Sequence, residues 1–354
     1  MPDRKEPAAH RDNGQPSVDG IVARRRNQRT EVRMVKSRSI HYARKELVEI
    51  IEVDVLDPGP GEVQIENLAC GVCAWDVFVY KNGVDWPVGP GHEGIGRIAK
   101  VGAGVGHVKE GDIVTGVGMG FTERYTRSAG GLHVLPARAA LRPQEWIVEP
   151  VSCVVTGIDH CKMKAGDRIA IVGCGFMGLM LAQALGRSLV DSLICIDVDP
   201  RRLELARQFG ATDVYDARTL EPQKLRDLWI DTVVDCSGSQ AGLDLSSKIV
   251  KNGGRLNLFG WNHGTGSFPG DLWHMNGITV VNSAPNSAER DPWPTAIRLL
   301  DRGHIDLAPL ISHTVGLSDY PDLLKFAAAN KGGSYMKGVV LFNDANETEL
   351  HKAA

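Results

Sequence analysis

Cysteine, histidine and glutamate, three residue types that bind metals well, recur at short spacings in the first half of the chain. Cys70-Gly71-Val72-Cys73-Ala74-Trp75-Asp76 is followed by Gly91-His92-Glu93-Gly94, and later by Glu149-Pro150. A thiolate, an imidazole and a carboxylate suit zinc. A catalytic zinc takes three protein ligands and leaves a fourth position open, unlike the closed, cysteine-rich cage of a structural site. Two other readings stay open on chemistry alone: Cys70 and Cys73 as a redox C-x-x-C pair, and His92 as an ordinary histidine satisfied by its neighbours.

A second constellation lies in the middle of the chain. The apolar run Ile169-Ala170-Ile171-Val172 leads straight into Gly173-Cys174-Gly175-Phe176-Met177-Gly178, and the residues from Leu179 to Leu185 have helical spacing. In this strand-turn-helix setting the first glycine makes the tight turn, the second lets the backbone approach a pyrophosphate, and the third lets the helix pack on the strand. The helix N-terminus offers free N–H donors to the phosphates. The next strand ends at Asp197, about 20 residues on, where a carboxylate accepts hydrogen bonds from the adenosine ribose hydroxyls. That carboxylate repels a 2′-phosphate and so favours NAD over NADP, with Arg201 and Arg202 arguing the other way. Asp199 and Pro200 read as a helix N-cap and first helical position. The competing reading of the whole stretch is a nucleotide-free α/β domain with tight turns.

The surrounding elements must hold these two sets of residues. From Met34 to about Ser152, short β-branched runs cut by Gly and Pro predict an irregular, mostly β domain. From about Gly157 the texture changes: apolar strands at 169–172, 193–196, 213–215, 232–234, 256–259 and 278–281 alternate with helical stretches and predict a Rossmann-type, doubly wound parallel sheet. After about Pro285, a helical stretch through Leu299 and Leu300 and a strand at 339–342 return the chain to the first domain. The expected organisation is therefore a catalytic zinc-binding domain at 34–155 and 287–354, with a nucleotide-binding domain at 156–286. Residues 1–33 are polar, with Arg24, Arg25, Arg26, Arg29 and Arg33 crowded together, and are expected to be a disordered extension. Interspersed Asp3, Glu6, Asp12, Asp19 and Glu31 weaken a nucleic-acid or membrane-binding arm.

The 354 residues suffice for two domains, and 43% hydrophobic with 23% charged residues is the balance of a soluble globular protein. A formal net charge of -3 gives no electrostatic reason to expect nucleic acid or an anionic membrane, which leaves a small-molecule partner. The seven cysteines lack the dense spacing of a disulfide scaffold and fit reduced thiols in a cytoplasm. No apolar run approaches the roughly 18 residues a membrane span needs, and no hydrophobic signal core opens the chain.

The strings G-V-C-A-W-D at 71–76, G-H-E-G-I-G-R-I-A-K-V-G at 91–102, E-P at 149–150 and G-C-G-F-M-G at 173–178 give the chain a family likeness. In order and spacing it resembles the zinc-containing medium-chain alcohol dehydrogenases, most of all the sorbitol and threonine dehydrogenase branch. The resemblance runs from about Met34 to Phe342. It implies a GroES-like catalytic domain beside the Rossmann sheet, with Cys73 and His92 as zinc ligands and Glu149 in the place of the third. Glu93 becomes an alternating ligand or a supporting carboxylate, and Asp76 the residue that orients the ligand histidine. On the cofactor side it implies Asp197 and Arg202 at the ribose, Phe259 and Gly260 beside the nicotinamide, and Lys337 reaching the pyrophosphate. Lys337 as a solvated surface charge is the plainer alternative. Cys70 matches no ligand position and reads as a buried thiol.

The chain departs from the family in two ways. No cysteine lies between Cys73 and Cys153, so one catalytic zinc and no structural zinc is expected. Trp75 stands where the family commonly carries a proton-passing Ser or Thr, and Phe78 where a His often continues the relay; neither transfers protons. Trp75 is either an apolar wall or stacking face beside the metal, or plain core packing. The expected activity is NAD-linked oxidation of a secondary hydroxyl in a polyol, sugar or hydroxy-acid derivative, or the reverse ketone reduction, by a cytoplasmic homodimer or homotetramer. The alternatives are reduction of an activated C=C or C=N bond, and a non-catalytic nucleotide-binding regulator.

Overall fold

The computed structural model describes residues 34–83, 89–261, 266–329 and 333–342; the polar extension at 1–33 lies outside them. The chain opens with an antiparallel pair, β1 (Met34–Arg44) and β2 (Leu47–Leu56). β3 (Glu62–Val72) leads into α1 (Ala74–Asn82), followed by β4 (Glu93–Val101), β5 (Ile113–Gly116), β6 (Arg124–Ser128) and β7 (Leu132–Leu135). After α2 (Val148–Cys161), strands and helices alternate: β8 (Arg168–Val172), α3 (Phe176–Leu185), β9 (Ser192–Asp197), α4 (Pro200–Gln208), β10 (Asp213–Asp216) and α5 (Pro222–Arg226). The alternation continues through β11 (Ile230–Asp235), α6 (Gln240–Ile249), β12 (Val250–Leu258), α7 (Gly270–Met275) and β13 (Thr279–Asn282). α8 (Trp293–Asp301), β14 (His313–Gly316), α9 (Tyr320–Ala329) and β15 (Gly338–Leu341) complete the described chain.

β8 to β13 form a six-stranded parallel sheet in the order β10-β9-β8-β11-β12-β13. This is the doubly wound Rossmann order, and it reverses between β8 and β11, which opens a crevice at the carboxyl ends of those strands. Ile169, Ile171, Leu193, Cys195, Val233 and Val234 are fully buried. Helices cover both faces of the sheet, so its strands read as unbroken apolar runs. All six expected strands are present. β12 starts at Val250, earlier than its apolar core suggested, because the half-buried Lys251 and the exposed Asn252 and Gly253 break the apolar run after Val250. Asp199 caps α4 by accepting from the Arg201 N–H, with Pro200 in the first turn, as expected.

The mostly β region forms a seven-stranded sheet in the order β14-β15-β3-β4-β5-β7, with β6 pairing on β3. β3 lies between β4 and β15, and its end is in register with both: Gly71 pairs with Glu93 on β4 and with Val339 on β15. The last described strand is thereby delivered beside Cys73. The expected seam at 155/156 falls inside α2, one continuous helix that packs on β4 and β5 and also on α3 and β12. Its apolar residues Val151, Val154 and Val155 belong to a core cluster that includes Ile95 and Leu135 from one sheet and Ile169 and Val234 from the other. Burial at about 1.5–3 kcal/mol per large aliphatic side chain makes that shared core a strong tie between them.

Candidate active site

Cys73 ends the run of β3 and caps α1. Its backbone is extended, its N–H donates to Asp76 Oδ2 at 2.8 Å, and the Asp76 N–H donates to the Cys73 carbonyl at 3.1 Å. His92 sits immediately before β4 and Glu93 begins it. Among the described residues, the ligand atoms of Cys73, His92 and Glu93 all lie within 4.8 Å of one another, a geometry that can hold a metal ion. Cys70, three residues upstream, remains in β3 as a buried free thiol in an apolar cluster with Val340 and Leu324.

Glu93 is only 2% exposed, and Lys337 Nζ stands 2.5 Å from its Oε2. Lys337 is itself 4% exposed, which overturns its reading as a solvated surface charge. Burial lowers the Lys337 pKa, but the charge of Glu93 beside it outweighs that and holds the ammonium protonated well above its ordinary range. Gly71 makes room for the pair. A Cβ there would overlap Glu93 Oε2 and come within 3.0 Å of Ile147 Cδ1 and 3.1 Å of Lys337 Cε, so a larger residue at this point of β3 would push the Glu93 carboxylate out of its place.

The other acidic groups respond to the same crowding. In the first turn of α2, burial and then the charge of Glu93 push the Glu149 carboxyl up to about 7, against the pull of His92 and Lys337. Cys153, one helical turn on, donates its thiol to Glu149 Oε1 at 3.6 Å. Glu149 faces this cluster but is not in the group gathered within 4.8 Å. Burial likewise raises Asp76 to about 6, despite the opposing effect of His92. Its oxygens are taken by the Cys73 N–H and the Tyr42 hydroxyl at 3.1 Å, with Tyr320 2.6 Å beyond Tyr42. Asp76 makes no hydrogen bond to His92 among the described residues; its oxygens brace the Cys73 backbone and Tyr42 instead. Burial, then Glu93, also raises the Cys73 thiol. Acidic groups suppressed together in this way mark a site short of positive charge, and the donor set fits a divalent cation.

The glycine turn lies at the crevice. Gly173 has a φ of +96° and an added Cβ would sit 2.7 Å from Ser237 N, so the turn admits only glycine. Gly175 is the N-cap of α3, without a side-chain cap, and its Cβ direction is open space. A Cβ on Gly178 would overlap the Gly173 carbonyl. Met177 packs on the core, and the Phe176 ring lies 4.7 Å beneath Lys337 Nζ. Lys337 thus touches the first residue of the dinucleotide helix and a carboxylate of the metal group at once. Asp197 accepts from the Cys174 N–H at 2.6 Å and the Asp199 N–H at 2.8 Å, which fixes its carboxylate at the end of β9. Arg202 is held near Asp199 at 3.9 Å and donates to the Tyr335 carbonyl at 3.5 Å. A cleft of about 200 Å³ beside it is lined by Asp199, Arg201, Leu205 and Tyr335. The N–H groups of Phe259 and Gly260 both donate to the Asp235 carbonyl at the end of β11.

Trp75, on α1, stacks on Trp261 with centroids 5.1 Å apart and planes 7° apart. Trp261 did not stand out in the sequence, although its place directly after Phe259-Gly260 was the available signal. Tyr42 and Tyr320 carried no signal at all, because the hydrogen bonds from Tyr320 to Tyr42 and from Tyr42 to Asp76 join residues far apart in the chain.

A parallel dinucleotide-type sheet beside a mostly β domain with a Cys-His-Glu cluster defines the class. Residues 59–134 match the alcohol dehydrogenase GroES-like domain model and residues 173–302 the zinc-binding dehydrogenase model. D-arabinitol dehydrogenase 1 of Uromyces fabae is 26% identical over 334 residues, covering 83% of this chain and 94% of that protein. Sorbitol dehydrogenase of Gallus gallus is 27% identical over 313 residues, covering 73% and 83%. The structure of L-idonate 5-dehydrogenase from Escherichia coli superposes with a TM-score of 0.79 at 20% identity, covering 88% of this chain and 99% of that one. The chain belongs to the zinc-binding medium-chain dehydrogenase family, whose members are oxidoreductases that use zinc and NAD(P). Among the described residues no helix is long and apolar enough to cross a membrane.

Proposed function

We propose that the protein is an NAD-linked dehydrogenase with one catalytic zinc, which oxidises a secondary hydroxyl of a polyol, sugar or hydroxy-acid derivative or reduces the corresponding ketone. The observation that carries the reading is the convergence of Cys73, His92 and Glu93 beside Lys337, whose ammonium lies over Phe176 of the glycine turn. Hydride transfer from an activated carbinol needs metal group and dinucleotide side by side. The names of the two polyol dehydrogenase relatives support the substrate class.

In this reading Cys73, His92 and Glu149 hold the zinc, and Glu93 serves as alternating ligand or supporting carboxylate. Bound zinc supplies Lewis acidity that lowers the pKa of the substrate hydroxyl. Lys337 pairs with Glu93 and holds it in place, and Asp76 holds Cys73 at the head of α1. With Trp75 and Phe78 unable to pass protons, Glu149 or Glu93 is left to take the alcohol proton. Gly175 and the N-terminus of α3 receive the pyrophosphate. Asp197, already oriented by two N–H groups, receives the adenosine ribose, and its charge selects NAD over NADP. Arg202 borders the same end, while Phe259 and Gly260 flank the nicotinamide. The edge strand β13 offers a surface for homodimer or homotetramer assembly.

The deciding experiment measures zinc in the purified protein together with NAD-linked absorbance change over a polyol and sugar-alcohol panel, for wild type and Cys73→Ala. About one zinc per subunit, with zinc and activity both lost in the variant, is the expected result. Zinc without alcohol oxidation, but with turnover of unsaturated carbonyl compounds, would favour C=C reduction, a second reading that the missing hydroxyl relay keeps in play. NAD binding without zinc or turnover would point to a regulator.

A further inference from the structure

We infer that Tyr320, at the start of α9, is a positioning residue for the metal site that braces both ligand-bearing turns, the one at Cys73 and the one at His92. The inference rests on the reading of those two residues as zinc ligands and adds what holds them in place. Their ligand atoms lie within 4.8 Å, yet Cys73 heads α1 and His92 ends the turn before β4. Two separate turns must therefore be fixed against each other.

The Tyr320 hydroxyl serves the first turn. It lies 2.6 Å from the Tyr42 hydroxyl, Tyr42 donates to Asp76 Oδ1 at 3.1 Å, and Asp76 Oδ2 accepts from the Cys73 N–H at 2.8 Å. A phenol carries one proton, and that of Tyr42 goes to Asp76, so Tyr320 donates to Tyr42. The Tyr320 ring serves the second turn. It packs on Phe121 with centroids 4.4 Å apart. The Phe121 ring in turn fills the space that a side chain on Gly91 would take: a Cβ there would sit 2.6 Å from Cδ2 and Cε2. The Phe121 N–H also donates to the Pro90 carbonyl, and Met119 bridges to Glu93. Residues 119–121 thus carry the turn that presents His92, whose preceding Gly91 has a φ of +80°.

Tyr320 can anchor both because it is itself fixed, fully buried in a cluster with Leu317, Leu324 and Val340 on a helix that packs against α1. A phenylalanine would fill the same space without a polar group to satisfy. The hydroxyl instead begins a chain that ends at the backbone of a ligand. Groups that orient metal ligands from outside typically change metal affinity about 10–100-fold when removed.

The test measures the zinc Kd by competition with a chromophoric chelator for wild type, Tyr320→Phe, Tyr42→Phe, the double variant and Phe121→Leu. Thermal melts of the zinc-free proteins and absorption spectra of the cobalt-substituted ones are recorded alongside, since the thiolate-to-cobalt charge-transfer band reports the geometry at Cys73. Tyr320→Phe should weaken zinc by about tenfold and alter that band. Tyr42→Phe should do the same, and the double variant should be no worse than either, because both cut one chain. Phe121→Leu, which thins the packing behind Gly91 and leaves the hydroxyl chain whole, should also weaken zinc by about tenfold. Wild-type zinc affinity and an unchanged cobalt spectrum in Tyr320→Phe, whatever its melting temperature, would reduce the residue to core packing and overturn the inference. Additive losses in the double variant, or full zinc affinity in Phe121→Leu, would overturn it as well, and all three results leave the dehydrogenase reading standing. Wild-type protein that binds no zinc overturns that reading and this one with it.

Discussion

Gly173, Gly175 and Gly178 lie within six consecutive residues on one turn, whereas Cys73, His92, Glu93, Glu149 and Lys337 arrive from β3, β4, α2 and the approach to β15. The dinucleotide crevice is thus a local device, set by backbone geometry and a helix terminus. The metal group is a tertiary device, set by the register of three strands and by compensation among buried charges. A change in the first should act on one ligand's affinity. A change in the second should spread through stability and metal binding together.

The largest effect that would sharpen this contrast is Lys337→Met. Removing one partner of a buried ion pair typically costs 3–5 kcal/mol, so chemical denaturation of the zinc-free variant should show a loss of about that size. Stability within 1 kcal/mol of wild type would mean that the Glu93 pair is not needed. Gly71→Ala comes next: the added Cβ overlaps the Glu93 carboxylate, and overpacking of this kind costs about 1–3 kcal/mol. Zinc content should fall, and NAD affinity, measured by fluorescence titration, should hold. If NAD affinity falls as far as zinc content, the two regions are not separable.

Asp197→Asn is the reverse experiment. Loss of a charged hydrogen-bond acceptor should weaken NAD by about tenfold, with zinc content unchanged in the same preparation. The smallest expected effect is a pH dependence. In the metal-free protein Glu149 is pushed up to about 7 and Asp76 to about 6, above their values in an unfolded chain. A carboxyl with a raised folded pKa contributes to stability when protonated. That contribution is complete below about pH 4 and lost as pH rises through about 6 to 7. Thermal melts of zinc-free wild type should therefore decline over that window more steeply than those of Glu149→Gln, and zinc should restore more stability at the upper end. Parallel slopes for the two proteins would remove Glu149 from the charge cluster.

The legibility of the two regions follows the same division. Strands 169–172 and 193–196 and the intervening turn could be read directly, since each physical requirement falls on neighbouring residues. The Asp199-Pro200 helix start was legible for the same reason. Cys73, His92 and Glu93 were visible as chemistry and recognisable by their likeness to a family. Their approach to within 4.8 Å needed β3 and β4 to pair with Gly71 opposite Glu93. Lys337 is the plainest case of a residue the sequence left ambiguous. As one lysine before a short apolar strand it looked equally like surface, and only the insertion of β15 against β3 makes it a buried counter-charge.

Trp75 shows the same limit at the scale of a single side chain. Its presence two residues after Cys73 was a fact of the sequence, as were the glycine motif, the acidic end of β9 and the alternation of strands and helices; the loss of a hydroxyl at that position was what the family likeness implied. These depend on local backbone preference and hydrophobic periodicity, which act over a few residues. Which acidic groups share a site, which lysine neutralises them and which tryptophan stacks on Trp75 were decided by tertiary structure. Electrostatic and aromatic contacts act through space between elements, and their partners are set by sheet register and helix packing, not by distance along the chain.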